Sequence, residues 1–336
     1  MVCPVSHDAL PVFELGPIRA GTFDPDAIAA LRNACERHGF FYVRDHGVAP
    51  EVEARLERVT REFFALPHEV KARLPMSKGG SAWRGWFPLE GELTSGAADL
   101  KEGIYFGDEL GPGDRRVQAG WPMHGANLFP DVELPELRGA VLDFMAAQRE
   151  VAKFVLRALA ASLGLEPDVF ERSLTREPLS LFRIFHYPAP VPEKASAWGV
   201  GEHTDYGLLT VLKQDDCGGL EVKTPSGWVS APPIPGTFVC NLGDMLDRMT
   251  GGRYRSTPHR VRNASGRSRF SWPFFFDPAF DAVVAPLPGA LVRPVETDAA
   301  ERWDRASVHA LTGTYGDYLR GKVSKVFPQL AGNLSP

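Results

Sequence analysis

Six apolar segments of five to nine residues follow one another between positions 179 and 276, each cut off from the next by turn-forming residues. They are Leu179 to Tyr187, Leu208 to Gln214, Gly219 to Lys223, Gly236 to Asn241, Thr257 to Arg262 and Arg269 to Phe276. Between them stand Pro188 and Pro190, Asp215-Asp216, Gly218-Gly219, Ser226-Gly227, Pro232-Pro233 and Ser265-Gly266. Segments this short are marginal as helices, and their aromatic and β-branched residues suit a pleated surface. Many short strands joined by turns bury their edges by closing up or by stacking as two sheets. The pattern therefore predicts a sandwich or jelly roll.

The first half of the chain has a helical period instead. Leu10 to Leu15 reads as a short strand. Asp24-Pro25 reads as an N-cap followed by proline in the first helical position, with Ile28, Leu31 and Cys35 on one face and Gly39 as C-cap. Phe40 to Val43 is a strand pattern, closed by Asp45-His46-Gly47. Pro50 starts a second helix with Val52, Leu56, Val59 and Phe63 inward, and Pro67 ends it. Residues 75 to 130 lose this period and hold Trp83-Arg84-Gly85-Trp86-Phe87-Pro88 and Gly120-Trp121-Pro122-Met123-His124-Gly125, which predicts loops and short strands. Pro135 to Leu163 is the longest helical pattern, with Val141, Leu142, Met145, Val151, Val155, Leu156 and Leu159 apolar and Gly164 after its end. A last helix is expected over Arg305 to Val323. The fold class expected is α+β: a jelly-roll core at 178–280 flanked by helices, with a helical and loop region at 1–130. A single unit spanning residues 1–336 is expected.

Composition narrows the partners. A net charge of -5 offers no general attraction to nucleic acid or anionic membranes. No stretch approaches the ~20 apolar residues that span a bilayer, and Met1 to Leu15 lacks the basic start and apolar run of a signal peptide. Cys3, Cys35, Cys217 and Cys240 form no CxxC pair, so a reduced, cytoplasmic setting is expected. The expected partner is a small molecule and the expected state a monomer.

Chemistry concentrates at His203-Thr204-Asp205. Residues two apart in a strand share a face, so this pair can share a metal. A His-x-Asp by itself arises easily by chance, and a surface histidine bonded to a carboxylate is the ordinary alternative. His259, 56 positions on and in another expected strand, supplies a third donor. Two histidines and one carboxylate on one side of a metal leave open positions on the other, the pattern of non-haem Fe(II) sites. Arg269 and Ser271, again two apart, offer a planar guanidinium beside a hydroxyl, a receptor for a carboxylate. Tyr187 ends a strand able to line the same barrel and adds a phenol. Taken one at a time, Arg269 reads equally as a surface ion-pair residue and Tyr187 as a core-edge tyrosine.

With these residues in place the sequence resembles the Fe(II)- and 2-oxoglutarate-dependent dioxygenases of the isopenicillin-N-synthase-like group. The likeness rests on His203-Thr204-Asp205, Asn241-Leu242-Gly243-Asp244, His259-Arg260-Val261 and Arg269-Phe270-Ser271, with Gly39 to Val43 and His46-Gly47-Val48 near the N-terminus. It covers roughly residues 10 to 325. Gly120 to Gly125, His203 to Leu209 and Thr250-Gly251-Gly252 are also similar to bacterial ethylene-forming enzyme. The resemblance implies a double-stranded β-helix, with Fe(II) on His203, Asp205 and His259 and the distal carboxylate of 2-oxoglutarate on Arg269 and Ser271. Tyr187 matches the second tyrosine of the family's Asn-Tyr-Tyr-Pro motif, whereas Phe185 and His186 replace the two residues before it. The implied reaction consumes O2 and 2-oxoglutarate, releases succinate and CO2, and oxidises a C–H bond of a metabolite by hydroxylation, desaturation or ring closure, as in secondary metabolism. Two variants share the fold: ethylene formation, or an oxidase that works without 2-oxoglutarate. A third reading is a non-catalytic binding barrel.

Candidate substrate-pocket residues are Trp83, Trp86, Phe87, Tyr206, Phe274 and Phe276, with Arg84, Lys101 and Glu102 as polar anchors. For each, plain packing or surface charge is the competing role. A Walker A loop, a GxGxxG fingerprint and an HExxH pair are all missing.

Overall fold

The computed structural model describes residues 9–94, 96–189, 197–287, 296–300, 302 and 304–326. Cys3 and the turn at Pro190 lie outside the described residues. The strands, in chain order, are β1 (Val12–Glu14), β2 (Phe40–Arg44), β3 (Gly85–Phe87), β4 (Leu93–Thr94), β5 (Ala97–Ala98), β6 (Glu102–Gly107) and β7 (Leu179–Tyr187). They continue with β8 (Val200–His203), β9 (Leu209–Gln214), β10 (Leu220–Thr224), β11 (Gly227–Ser230), β12 (Phe238–Leu242), β13 (His259–Val261) and β14 (Arg269–Asp277). Eight of them form a major sheet in the order β1-β2-β12-β9-β14-β7-β6-β3, and four form a minor sheet in the order β11-β10-β13-β8. The chain crosses between the sheets after β8, which carries it from the minor sheet into β9 of the major one. Such crossing between facing sheets is the jelly-roll arrangement. The double-stranded β-helix core that the resemblance implies is present, and the fold is α+β.

All six strands expected from the sequence form. Two more, β8 and β11, fill the gaps between them. The region 75–130, expected to be loops and short strands, also supplies the six-residue β6, which pairs along β7 from Glu102↔His186 to Gly107↔Leu181. Its alternation is hidden because Gly103, Ile104, Tyr105, Phe106 and Gly107 are buried on both faces.

The helices that matter for packing are α1 (Pro25–Arg37), α2 (Pro50–Ala65), α3 (Glu136–Ser162), α4 (Asp244–Met249) and α5 (Tyr315–Val326). The Asp24 side chain accepts from the Ala27 N–H at 2.9 Å, so the cap read from Asp24-Pro25 forms. α3, about 40 Å long at 1.5 Å per residue, buries Leu137, Val141, Phe144, Val151, Val155 and Leu159. Against the same layer stand Phe182, Phe238 and Trp272, all buried; each such side chain contributes about 1.5–3 kcal/mol. Trp272 also donates from Nε1 to Thr60 Oγ1 of α2 at 2.9 Å. The last helix was expected at Arg305 to Val323 and begins later, at Tyr315. A short 3-10 turn, Val308–Ala310, occupies part of the difference. No helix among the described residues is long and apolar enough to cross a membrane.

Candidate active site

Strand alternation builds a cavity between the two sheets. Leu181, Phe185 and Tyr187 of β7 face it, as do Arg269, Ser271, Phe275 and Asp277 of β14, while Phe182, Trp272, Phe274 and Phe276 face the other way. The space measures about 1040 Å³ including its open mouth, and Leu319 and Val323 of α5 close one side.

His203, Asp205 and His259 line it together. Their nearest donor atoms lie within 4.8 Å of one another. His203 closes β8 and pairs directly with His259, the first residue of β13. The sequence argument placed His203 and Asp205 on one strand face. The structure brings them together differently: Asp205 lies beyond the end of β8, on the crossing to β9. The Asp205 carboxylate stands 3.9 Å from Nε2 of each histidine.

The surroundings fix which atoms face one another. His203 Nδ1 donates to the Gly201 carbonyl at 2.8 Å, and His259 Nδ1 to the Thr257 carbonyl at 3.2 Å. A carbonyl only accepts, so each Nδ1 carries the proton and each Nε2 keeps its lone pair. Asp205 Oδ2 accepts from Thr210 Oγ1 at 2.5 Å and from Asn241 Nδ2 at 2.6 Å. Burial lowers the proton affinity of both imidazoles, and with His203 beside it holds His259 at about 4. Burial by itself would raise the Asp205 carboxyl; the two histidines, Asn241 and Thr210 outweigh it and hold it below the usual carboxylate range. At neutral pH the cluster is two neutral imidazoles and one carboxylate, the protonation states that a metal requires.

Two close approaches keep this corner tight. Asp244 N–H donates to the Asp205 carbonyl at 2.8 Å and Met245 N–H to the Gly207 carbonyl at 2.9 Å. A Cβ on Gly207 would sit 1.5 Å from Asp277 Oδ1, and one on Gly243 2.3 Å from the Gly207 carbonyl oxygen. Only glycine fits either position.

Arg269, Ser271 and Tyr187 form a second group deeper in the cavity. The Tyr187 and Ser271 hydroxyls are 3.3 Å apart, and the Arg269 guanidinium lies over the Tyr187 ring at 4.5 Å. Arg269 Nε donates to the Gly218 carbonyl at 2.5 Å, while its Nη1 is buried with no hydrogen-bond partner among the described residues. A buried guanidinium with an unused donor beside two hydroxyls is a receptor that a carboxylate completes. These residues fit iron and a 2-oxo diacid.

The aromatic candidates divide. Trp83 and Tyr206 line the cavity. Trp86 does not: its Nε1 donates to Glu102 at 3.0 Å. Phe87 packs on Tyr105 and Phe185, outside the lining. Phe274 and Phe276 face the helices, because they fall on the opposite parity from Arg269 and Ser271 along β14. Phe275 and Asp277 take the wall positions instead, and counting in twos from Arg269 finds them. Of the polar anchors, Lys101 lines the cavity but is bound to Glu92 at 2.8 Å and to Asp99. Arg84 is buried elsewhere and donates to the Met123 carbonyl at 2.8 Å. Glu102 pairs with Lys71 at 3.0 Å and His186 at 2.9 Å. The sequence reading missed Arg183, Glu92 and Asp277. Arg183 is legible by parity from Tyr187, whereas Glu92 carries no sequence signal.

A jelly roll holding two imidazoles and a carboxylate at one level and an arginine receptor deeper in defines a non-haem iron oxygenase that uses a 2-oxo acid. Comparison with known proteins agrees. Residues 178–278 match the model of the 2OG-Fe(II) oxygenase superfamily, and residues 10–132 match that of the non-haem dioxygenase in morphine synthesis N-terminal region. A probable iron/ascorbate oxidoreductase of Dictyostelium discoideum is 45% identical over 325 residues, covering 90% of each chain. A homoarginine-6-hydroxylase of Oryza sativa is 37% identical, covering 83% of this chain and 88% of its own. Neurospora crassa T7H, solved with alpha-KG and thymine, superposes with a TM-score of 0.76 at 26% identity over 98% of both chains. The chain belongs to the 2OG-Fe(II) oxygenase superfamily. It is a non-haem iron enzyme that uses Fe(II) and 2-oxoglutarate.

Proposed function

We propose that the enzyme hydroxylates a C–H bond of a small amino acid. His203, Asp205 and His259 hold Fe(II) in this reading, and Arg269, Ser271 and Tyr187 hold the distal carboxylate of 2-oxoglutarate. The observation that carries the assignment is the lone Arg269 Nη1 in the same cavity as three donors whose other atoms are already tied. The amino-acid class is supported by the relative named for homoarginine.

With O2, the iron and 2-oxoglutarate supply the oxidising chemistry: the oxo acid goes to succinate and CO2, and one oxygen atom enters the substrate C–H bond. The protein's part is placement. The Gly201 and Thr257 carbonyls hold both imidazoles with Nε2 inward. Thr210 and Asn241 fix the Asp205 plane and keep it ionised. Trp83, Tyr206 and Phe275 give the substrate an apolar wall, and Leu319 and Val323 of α5 screen the cavity from water.

The chain acts as a single catalytic unit, a reading supported by β3 and β6 joining the sheet that carries Arg269. The free thiols of Cys35, Cys217 and Cys240 favour a reducing cytoplasm, and the net charge of -5 a small-molecule partner and a monomer. Purified protein with Fe(II) is expected to form succinate from 2-oxoglutarate, faster with L-homoarginine present, and His203→Ala or Asp205→Ala to abolish it. Undiminished turnover in either variant sinks the ligand assignment. Headspace gas measured beside succinate separates hydroxylation from ethylene formation.

A further inference from the structure

Arg183 is a charged side chain in the cavity that the reaction as described does not use. It stands at the middle of β7, on the face shared by Leu181 and Phe185. Its guanidinium is clamped between two rings, 4.2 Å from the centre of Tyr105 and 4.8 Å from that of Phe275. The nearest carboxylate is Glu92 Oε1 at 3.8 Å, beyond hydrogen-bond reach. Glu92 is also already engaged, by the Tyr105 hydroxyl at Oε1 and by Lys101 Nζ at 2.8 Å from Oε2. Among the described residues the Arg183 side chain donates no hydrogen bond.

Two other buried arginines differ. Arg302 places its donors on Asp244, Asp247 and Asp298, and Arg84 donates to a backbone carbonyl. Those arginines are spent on structure. Arg183 holds a fork of donors whose plane the two rings fix in advance, so a ligand that takes them loses little side-chain freedom. The fork matches a carboxylate, which accepts two parallel N–H bonds.

Its level in the barrel points to the site it serves. Phe275, stacked on Arg183, is the cross-strand partner of Thr210, and Thr210 donates to Asp205. Phe275 pairs with Leu181, two residues from Arg183 along β7, and the Arg183 guanidinium reaches the level of the His203–Asp205–His259 cluster by lying over the Phe275 ring. Tyr187, at the Arg269 end, is four residues away along β7, about 13 Å at ~3.3 Å per residue. That is roughly twice the carbon chain of a five-carbon diacid at ~1.5 Å per bond. The cavity thus has two anion receptors, one deep and one beside the metal ligands. Glu92, Lys101 and Asp277 are the other charged groups at the upper level, and each is already bonded to a protein partner.

We propose that Arg183 anchors a carboxylate of the primary substrate, so that the enzyme selects small carboxylic acids, amino acids among them, and presents the rest of the molecule to the metal. This rests on the function proposed above. The same fork would also fit the C1 carboxylate of 2-oxoglutarate, and the experiment separates the two sources.

Wild type, Arg183→Gln and Arg183→Lys are assayed as full-length, Fe(II)-loaded enzymes. Substrate-stimulated succinate formation is screened with L-homoarginine, the proteinogenic L-amino acids and the amine that each leaves on loss of its carboxylate (5-aminopentylguanidine for L-homoarginine). At least one acid stimulates the wild type and its amine does not. In Arg183→Gln the KM for that acid rises roughly 10- to 100-fold, while KM for 2-oxoglutarate stays within about twofold; Arg183→Lys recovers part of the loss. Anaerobic calorimetry with the same acid gives the same ranking in Kd, and an unchanged 2-oxoglutarate Kd shows that the variants are folded. Stimulation only by carboxylate-free compounds, or by none of the acids, overturns the proposal. So does a KM for 2-oxoglutarate that rises with that of the acid, which assigns the fork to the co-substrate, or an acid KM that does not move. A wild type that retains no iron and turns over no 2-oxoglutarate would instead sink the function on which the proposal rests.

Discussion

His203 and His259 are direct cross-strand partners, with ring centroids 4.2 Å apart although 56 positions of sequence separate them. The pairing places both Nε2 atoms beside Asp205, whose Oδ2 is held by Thr210 and Asn241. Because those two bonds orient the carboxylate, replacing both donors by apolar residues (Thr210→Val with Asn241→Leu) should weaken Fe(II) binding about 10- to 100-fold. Anaerobic metal titration measures this. Unchanged iron affinity would mean that the bonds do not orient the ligand.

Phe274 and Phe275 are neighbours in sequence with opposite surroundings. Phe274 is fully buried toward the helices, whereas Phe275 lines the cavity and stacks on Arg183. Phe274→Ala should cost about 3–5 kcal/mol of stability, as large-to-small core changes do. Phe275→Ala should raise the substrate KM with a smaller loss of stability. Urea unfolding and steady-state kinetics on both variants test this, and the reverse pattern would contradict the alternation.

Gln148 lies fully buried in α3, and neither its Oε1 nor its Nε2 has a hydrogen-bond partner among the described residues. Leaving buried polar atoms unsatisfied costs about 1–3 kcal/mol. Gln148→Met keeps the shape and removes those atoms, so it should raise the unfolding free energy by about 1–2 kcal/mol. A lower urea midpoint would show that Gln148 is satisfied in solution.

His46 stacks on Phe238 at 4.0 Å, and its Nδ1 accepts the Val48 N–H at 3.2 Å. Burial lowers its proton affinity, with Lys213 and Arg19 adding to the effect and Glu53 and Asp45 opposing it. The unfolded chain then takes up a proton near pH ~6.5 while the folded protein does not. Stability from this residue is therefore full above that pH and is lost as pH falls toward the folded value. In the metal-free protein, His46→Phe should flatten the slope of unfolding free energy between pH 7 and pH 5, whatever its absolute stability. An equally steep slope would show that His46 is not the titrating group.

The sequence by itself determined the elements whose causes are local. The Asp24 cap, the period of α3 and the turn residues between strands act within a few positions, so each can be read in place. The pair Arg269 and Ser271 was legible for the same reason: strand alternation aims residues two apart in β14 at one face. Only the tertiary structure decided which strands are neighbours. It put β6 beside β7, which makes part of the 75–130 region, expected as loops and short strands, a wall of the site. It also made β8 a strand of its own, so that Asp205 meets His203 across a crossing between sheets and not along one strand face. Glu92 and α5 reach the cavity through contacts between distant parts of the chain, and no local pattern records such contacts. Arg183 lies between the two cases. Parity from Tyr187 aims it inward, but only the packed structure shows a guanidinium held between Tyr105 and Phe275 with its donors unused, because that depends on what three separate strands bring to one place.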